Sequence, residues 1–328
     1  MARELRLKWS NLLPNALSTR HLALLALFTG ASCIGTSALF VKVSETGPLS
    51  TAFWRVFLAL PFLWLWVFKQ NRAQLTQERS AKAPCLPLRG LITAGAFFAG
   101  DLSVWHTAII LTSVANATLL ANLAPIFVTL ACWLLWQQRP SRRFVLGLMA
   151  ALCGVILLIK GHFPHTGKAL WGDALGLLTA FFYAGYQLIV ARLRPFVSTA
   201  HIMAVSSTVT AVLLLPIVVL SGEGLLPQSA YGWSLLVALA LISQVIGQSL
   251  IAYAMAHLPA MLCSVGLLLQ PVMAGLFAWG LLGESLGPSA LVGALLVLWG
   301  IRLAQSPIQP AAVAQEPYNR IKNKQPSS

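Results

Sequence analysis

Long apolar runs separated by short polar breaks make up most of the chain, and the runs are continuous rather than alternating. Ten can be marked, at about 21–43, 48–69, 90–111, 113–136, 144–161, 171–194, 199–221, 231–256, 260–282 and 286–304. A helix needs roughly 20 apolar residues to cross a ~30 Å hydrocarbon layer, and these runs are of that order. Barrel strands of ~10 residues would instead show a period of two. The breaks hold residues that end helices: Glu45-Thr46-Gly47-Pro48, Gln138-Arg139-Pro140-Ser141, Gly222-Glu223-Gly224 and Gly283-Glu284-Ser285. The pattern predicts an all-α polytopic protein with ten transmembrane helices.

Composition agrees. Of 328 residues, 58% are hydrophobic and 9% charged, against about 25% charged in an ordinary soluble domain. A soluble enzyme, a nucleic-acid-binding module and a disordered protein are excluded, because this much apolar surface needs the bilayer as part of its solvent. The formal net charge of +14 reports orientation rather than nucleic acid. If both termini are cytoplasmic, 18 of the 22 Lys and Arg residues fall on the cytoplasmic side, as the positive-inside rule requires. The basic N-terminus mimics a signal peptide, and the Gly30–Cys33 stretch hints at a lipoprotein cleavage site. Gly30 stands where that motif wants Leu or Val, and the apolar run continues to Val43, so a retained first span is expected. Five scattered cysteines (Cys33, Cys85, Cys132, Cys153, Cys263) give no disulfide framework, and His162 with His165 makes an incomplete metal site. No cofactor is expected.

A shift of 146 residues lays the second half on the first without a gap from about Leu91 to Ile156. Pro125 meets Pro271, Trp133 meets Trp279, Gly147 meets Gly293 and Gly154 meets Gly300. Each half holds five spans. An odd number forces opposite orientations, so the expected architecture is two inverted five-helix repeats, as in secondary transporters. The boundaries are a cytoplasmic segment 1–20, repeats at 21–161 and 171–304, and a polar tail 305–328 predicted to be disordered. Pro125 and Pro271 fall near the middle of spans four and nine, where each removes a backbone donor and opens or bends its helix. Paired interrupted helices point to a midplane cavity and a gating role for the two prolines. Pro61 and Pro216 form a weaker second pair. The glycines of spans five and ten, and Gly172 with Gly176 on span six, read as packing surfaces.

The sequence resembles the drug/metabolite transporter superfamily, specifically its EamA-type ten-helix exporters. The resemblance is carried by Gly35-Thr36-Ser37 with Phe40-Val41-Lys42, by Pro48 with Phe53-Trp54-Arg55, and by the run from Ala108 through Asn116 to Leu123-Ala124-Pro125. Gly147 and Gly154 follow, and a second copy runs from Ala254 through Pro271 to Gly283-Glu284, Gly293 and Gly300. The family pattern usually ends span four with Glu. Here Gln137-Gln138 stands there, and only Glu284 keeps the acid. The resemblance implies an inner-membrane exporter of small metabolites, often amino acids or their analogues, working by alternating access.

Ionisable groups in mid-span cost at least ~2.5–3.5 kcal/mol to insert, which makes each a functional candidate. Asp101 lies near the middle of span three, with Trp105 one turn on and His106 beside it. It can carry a proton, bind a substrate amine, or pair with Arg55 or Lys42. Arg55 can hold a substrate carboxylate bidentately or snorkel to headgroups, and Lys42 snorkels. Tyr183, Tyr186 and Gln187 share one face of span six, and Gln244 and Gln248 one face of span eight. Such faces point toward protein or a wetted cavity. Asn116 and Asn122 on span four are less clustered, and the hydroxyls of span seven read as structural. No phosphate-cradling loop, metalloprotease motif or nucleophile motif is present.

The function expected is secondary transport, with export of a small polar or amphipathic metabolite and rocking of the two halves about the site. The expected partners are a small-molecule substrate and the lipid bilayer, without nucleic acid. One chain suffices, and an oligomer is compatible. The alternatives are a membrane-embedded enzyme acting on a lipid-like substrate and a non-transporting receptor or scaffold.

Overall fold

The structure, a computed structural model, describes residues 19–77, 87–112, 114–159, 167–283 and 287–305. His162, His165, Cys85, Glu284 and the polar tail from 306 lie outside the described residues. Eight helical spans are long and apolar enough to cross a membrane. These are α1 (Thr19–Val43), α2 (Pro48–Arg72), α3 (Leu88–Leu111), α4 (Asn116–Trp136), α6 (Gly167–Leu193), α7 (Thr199–Ser221), α8 (Ala230–Ala254) and α9 (Ala260–Leu281). The ten are completed by α5 (Arg142–Ile159) and α10 (Pro288–Ala304). The fold is therefore the expected all-helical bundle, with element ends within a few residues of those read from the apolar runs.

Helices α5 and α10 make the most extensive contact in the molecule, and their glycines explain it. A methyl group placed on Gly147 would lie 2.6 Å from the carbonyl oxygen of Gly300, and one on Gly154 would lie 2.5 Å from that of Gly293. In the 146-residue offset Gly147 corresponds to Gly293 and Gly154 to Gly300, so the repeat exchanges these two contacts. The pair crosses antiparallel about a pseudo-two-fold axis, which is the inverted arrangement an odd number of spans per half requires. Only hydrogen at these positions lets the backbones approach so closely. The start of α1 and the end of α10 meet on one face, where Arg20 Nη2 donates to Gln305 O at 3.0 Å.

The packing does not follow the two sequence halves. Helix α1 packs on α8 and α9 of the second repeat, and α6 packs on α3 and α4 of the first. The first helix of each repeat is thus exchanged, giving two related three-helix bundles, α1/α8/α9 and α6/α3/α4. Helix α2 packs on α7 between them. Rocking of intact halves, the motion expected from the sequence, would tear the α1 and α6 contacts.

Among the described residues, four spans are interrupted. Helix α4 breaks at 122–123 between segments Val114–Ala121 and Ala124–Trp136, and α9 breaks at 267–268 between Ala260–Gly266 and Leu269–Leu282. The breaks fall within one position of each other in the repeat and just before Pro125 and Pro271. At α4 the ladder tightens, with Leu123 N bonding Leu120 O and Ile126 N bonding Leu123 O. At α9 Leu268 N bonds Val265 O and Gln270 N bonds Leu267 O. Helix α2 breaks at 58–59 ahead of Pro61. Pro216, its counterpart, sits inside an unbroken α7, so the second proline pair is not symmetric. Helix α1 breaks at Thr36, whose Oγ1 donates to Cys33 O at 2.6 Å.

Candidate functional site

The breaks surround a cavity of about 120 Å³ between the two bundles. One bundle contributes Phe98, Asp101, Leu102 and Trp105 from α3, Thr118, Ala121 and Asn122 from α4, and Thr179 and Tyr183 from α6. The other contributes Ile34, Gly35, Ser37 and Ala38 from α1, Gln248 from α8, and Gln270, Pro271 and Ala274 from α9. Arg55 enters from α2. The lining is therefore drawn from the interrupted regions of α1, α4 and α9, where the ladder is locally irregular and backbone polar groups need a wetted or protein environment.

The charge inventory is one cation and one anion. Arg55 and Asp101 are both buried, at 5% and 9% exposure, and line the same chamber. Arg55 Nε has no hydrogen-bond partner. Lys42 is exposed, outside the cavity. Of the two cations considered for Asp101, Arg55 is the one that shares its chamber. Trp105, Phe98 and Tyr183 supply aromatic wall, and the Tyr183 hydroxyl accepts from Gln270 Nε2 at 3.3 Å. The buried Gln248 Oε1 and Thr118 Oγ1 also lack hydrogen-bond partners, whereas Asn122 Nδ2 donates to Thr118 O at 2.7 Å.

Of the candidates read from sequence, Arg55, Asp101, Trp105, Tyr183, Gln248 and Pro271 line the cavity. The other five do not. His106 is fully enclosed, its Nδ1 at 2.6 Å from Leu102 O and its ring edge-on to Trp105. Tyr186 stacks on Phe98 at a centroid distance of 4.7 Å and directs its hydroxyl to Met203 Sδ at 3.8 Å. It supports the wall from behind. Gln187 is buried one turn beyond Tyr183, past the end of the chamber. Gln244 donates to Ser207 Oγ at 3.1 Å and joins α8 to α7. Pro125 is buried at the start of the second α4 segment, where it sets the break without facing the space. Sequence reasoning missed Thr118, Thr179 and Gln270, and weighed Asn122 too lightly. The available signal was position. Asn122 and Gln270 stand at or beside the paired breaks, and Thr118 and Thr179 precede Asn122 and Tyr183 by one helical turn.

Helix α8 is wound as a π-helix over Ala240–Gln248, a form that runs with i→i+5 bonds and recurs at functional sites. It meets the α1 break: Ser37 Oγ donates to Ser243 Oγ at 3.0 Å, and Ser243 Oγ donates to Cys33 O at 3.2 Å. Cys33 O thus accepts from Ser243 Oγ in addition to Thr36 N at 3.3 Å and Thr36 Oγ1 at 2.6 Å. Among the described residues no group of three or more metal-ligating side chains comes together.

Comparison with known proteins matches the EamA-like transporter family twice, at residues 21–160 and 170–305. An uncharacterized transporter of Archaeoglobus fulgidus is 25% identical over 276 residues, covering 81% of this chain and 91% of that protein. The Pseudopaline exporter CntI of Pseudomonas aeruginosa is 27% identical over 289 residues, covering 87% and 95%. A solved crystal structure superposes with a TM-score of 0.73 at 19% identity, covering 86% of this chain and 97% of that one, a likeness of fold alone. A transporter family that accounts for both halves sets aside the membrane-embedded enzyme. The chain belongs to the EamA-like transporter family, as a multi-pass membrane transporter with two copies of the family unit.

Proposed function

We propose that the protein exports small metabolites bearing both a carboxylate and an amine, amino acids and related compounds, by alternating access in the cell's inner membrane with both termini cytoplasmic. The observation that carries this reading is the placement of Arg55 and Asp101 in one cavity between two bundles. Arg55 takes the carboxylate, where a guanidinium offers bidentate geometry, and Asp101 takes the ammonium. Trp105, Phe98 and Tyr183 contact the side chain, and the amides of Gln248 and Gln270 read its polar groups. A chamber of about 120 Å³ is smaller than the ~150 Å³ that holds a benzene molecule, so it suits a compact head group rather than an extended chain. The cytoplasmic placement of the termini rests on the positive-inside rule. The exporting direction is supported by likeness to the relative named as an exporter. A single chain forms the whole cavity, so a monomer suffices.

The test is flux in sealed vesicles containing the purified full-length protein, with and without an imposed pH gradient, across amino acids and their decarboxylated or amidated analogues. Accumulation of zwitterions in preference to both analogues, lost in Arg55→Gln and Asp101→Asn, supports the assignment. Equal flux of amine-only compounds would remove Arg55 from substrate binding, and the absence of flux for every compound would favour a receptor or scaffold.

A further inference from the structure

The pseudo-symmetry allows the two membrane faces to be compared contact by contact. On the terminal face, where α1 begins and α10 ends, the second segment of α4 (Ala124–Trp136) packs on the first segment of α9 (Ala260–Gly266), and α6 packs on that same α9 segment. The repeat would place matching contacts on the opposite face, between the first segment of α4 and the second of α9, and between α1 and the first segment of α4. Among the described residues those are much slighter. The bundles are drawn together at the terminal face and held apart at the other.

One side chain ties the bundles at the closed face. Arg194 follows the last residue of α6, and its Nε donates to Ala252 O of α8 at 2.9 Å while Nη1 donates to Val197 O at 2.5 Å. Ala252 lies in the last turn of α8, where Ala256 N turns to Tyr253 O instead of to the Ala252 carbonyl. A carbonyl at a helix C-terminus is left without its helical donor and carries the negative end of the dipole, so a guanidinium is a fitting partner. Between this contact and the cavity lies Gln187. Thr179, Tyr183 and Gln187 follow at four-residue spacing on α6, and the first two line the cavity. Gln187 is 1% exposed, and neither Nε2 nor Oε1 has a hydrogen-bond partner. A buried amide unpaired at both ends is rare and needs a reason. A second conformation in which water or substrate reaches it supplies one.

We propose that Arg194 is the latch of a gate at the face where α1 begins and α10 ends, and that its release opens a wetted path from the cavity past Gln187 to that face. The proposal rests on the alternating-access reading of the cavity. Its test needs no substrate. In full-length protein with Cys33, Cys85, Cys132, Cys153 and Cys263 replaced by alanine, Gln187→Cys is exposed to a membrane-impermeant maleimide applied to one face at a time. The expected result is slow labelling with Arg194 present, and at least a fivefold faster rate from the terminal face when Arg194→Gln is added. The rate from the opposite face should not change. An unchanged rate overturns the proposal, as does an equal rise from both faces, which would report a loosened fold. If Gln187→Cys does not fold, as judged by gel filtration, the same comparison is made at Tyr183→Cys. Face-specific labelling with no zwitterion flux would reject the substrate reading and keep the gate. Flux with unaltered labelling would reject the gate alone.

Discussion

Arg55 and Asp101 reach the cavity from α2 and α3 of the same repeat, and in the ungapped register the second repeat has no acid to match Asp101, since Gly247 stands opposite it. Inverted repeats therefore share a scaffold while the chemistry is one-sided. Gly247 is small for a reason of its own, since a methyl there would lie 2.9 Å from the Ile34 side chain of α1. The single cation sets a quantitative expectation. A hydrogen bond to a charged group contributes about 1.5–3 kcal/mol, so Arg55→Gln should raise the half-saturation concentration of a zwitterion by roughly 10- to 100-fold. Arg55→Lys should recover only part of this, because an ammonium lacks the planar fork. Concentration-dependent flux in vesicles measures both, and a rescue by Lys to the wild-type value would reject bidentate binding. His106 and Tyr186 show why a residue list from sequence overreaches. Both lie on helices that face the cavity, yet His106 is turned about 100° from Trp105 and Tyr186 about 60° from Tyr183, which sends them to a backbone carbonyl and a methionine sulfur.

The paired breaks of α4 and α9 were legible at the level of elements, because a mid-span proline removes a backbone donor and crowds the preceding turn, although Pro216 in the unbroken α7 shows that it need not interrupt its helix. The π-helical stretch of α8 was not, since no residue pattern marks it; it lies where Ser243 meets the α1 break across the fold. The ends of α4 and α9 repeat one another as well. Each finishes in a left-handed residue at equivalent positions, Gln137 at φ 54° and Gly283 at φ 68°. Gln138 N closes the α4 end on Cys132 O at 3.0 Å, six residues back. Glycine takes this conformation without the steric cost of a Cβ, which is about 1–2 kcal/mol. Gln137→Gly should accordingly stabilise the fold by up to about 1 kcal/mol after its own entropic cost, seen as a higher melting temperature in detergent. The glycines of α5 and α10 work in the opposite sense. Gly154→Val would force side-chain carbon into the carbonyl of Gly293, and overpacking of this kind costs about 1–3 kcal/mol or more. A melting temperature equal to wild type would mean that the two helices do not meet as described.

At the scale of the whole molecule, ten spans, the inverted repeat and the midplane cavity follow from apolar length, an odd helix count and paired prolines. The exchange of α1 and α6 between bundles does not follow, because apolar faces in lipid carry no label for their partner. The exchange leaves each bundle tied to loops of the other repeat, and one such tie lies on the face opposite the start of α1 and the end of α10. Glu45, in the α1–α2 connection, accepts from Gln228 N at 3.0 Å, from Ser229 N at 3.1 Å and from the Ser229 hydroxyl at the start of α8. Glu223, in the α7–α8 connection, returns the arrangement by accepting from Ser50 N at 3.0 Å in the first turn of α2. Each carboxylate thus meets the N-terminus of a helix from the other repeat, where free N–H groups and the positive end of the dipole favour an anion. The Ser229 hydroxyl, followed by the two backbone N–H groups, holds the Glu45 carboxyl below the usual carboxylate range. A depressed folded-state pKa contributes stability that is present above the unfolded value of about 4.3 and is lost as pH falls through the folded one. Glu45→Gln should therefore melt below wild type at pH 7, and the two curves should converge as pH falls below about 4. Gln keeps an acceptor oxygen but not the charge, so a gap that persisted undiminished in acid would assign the tie to shape rather than to the carboxylate.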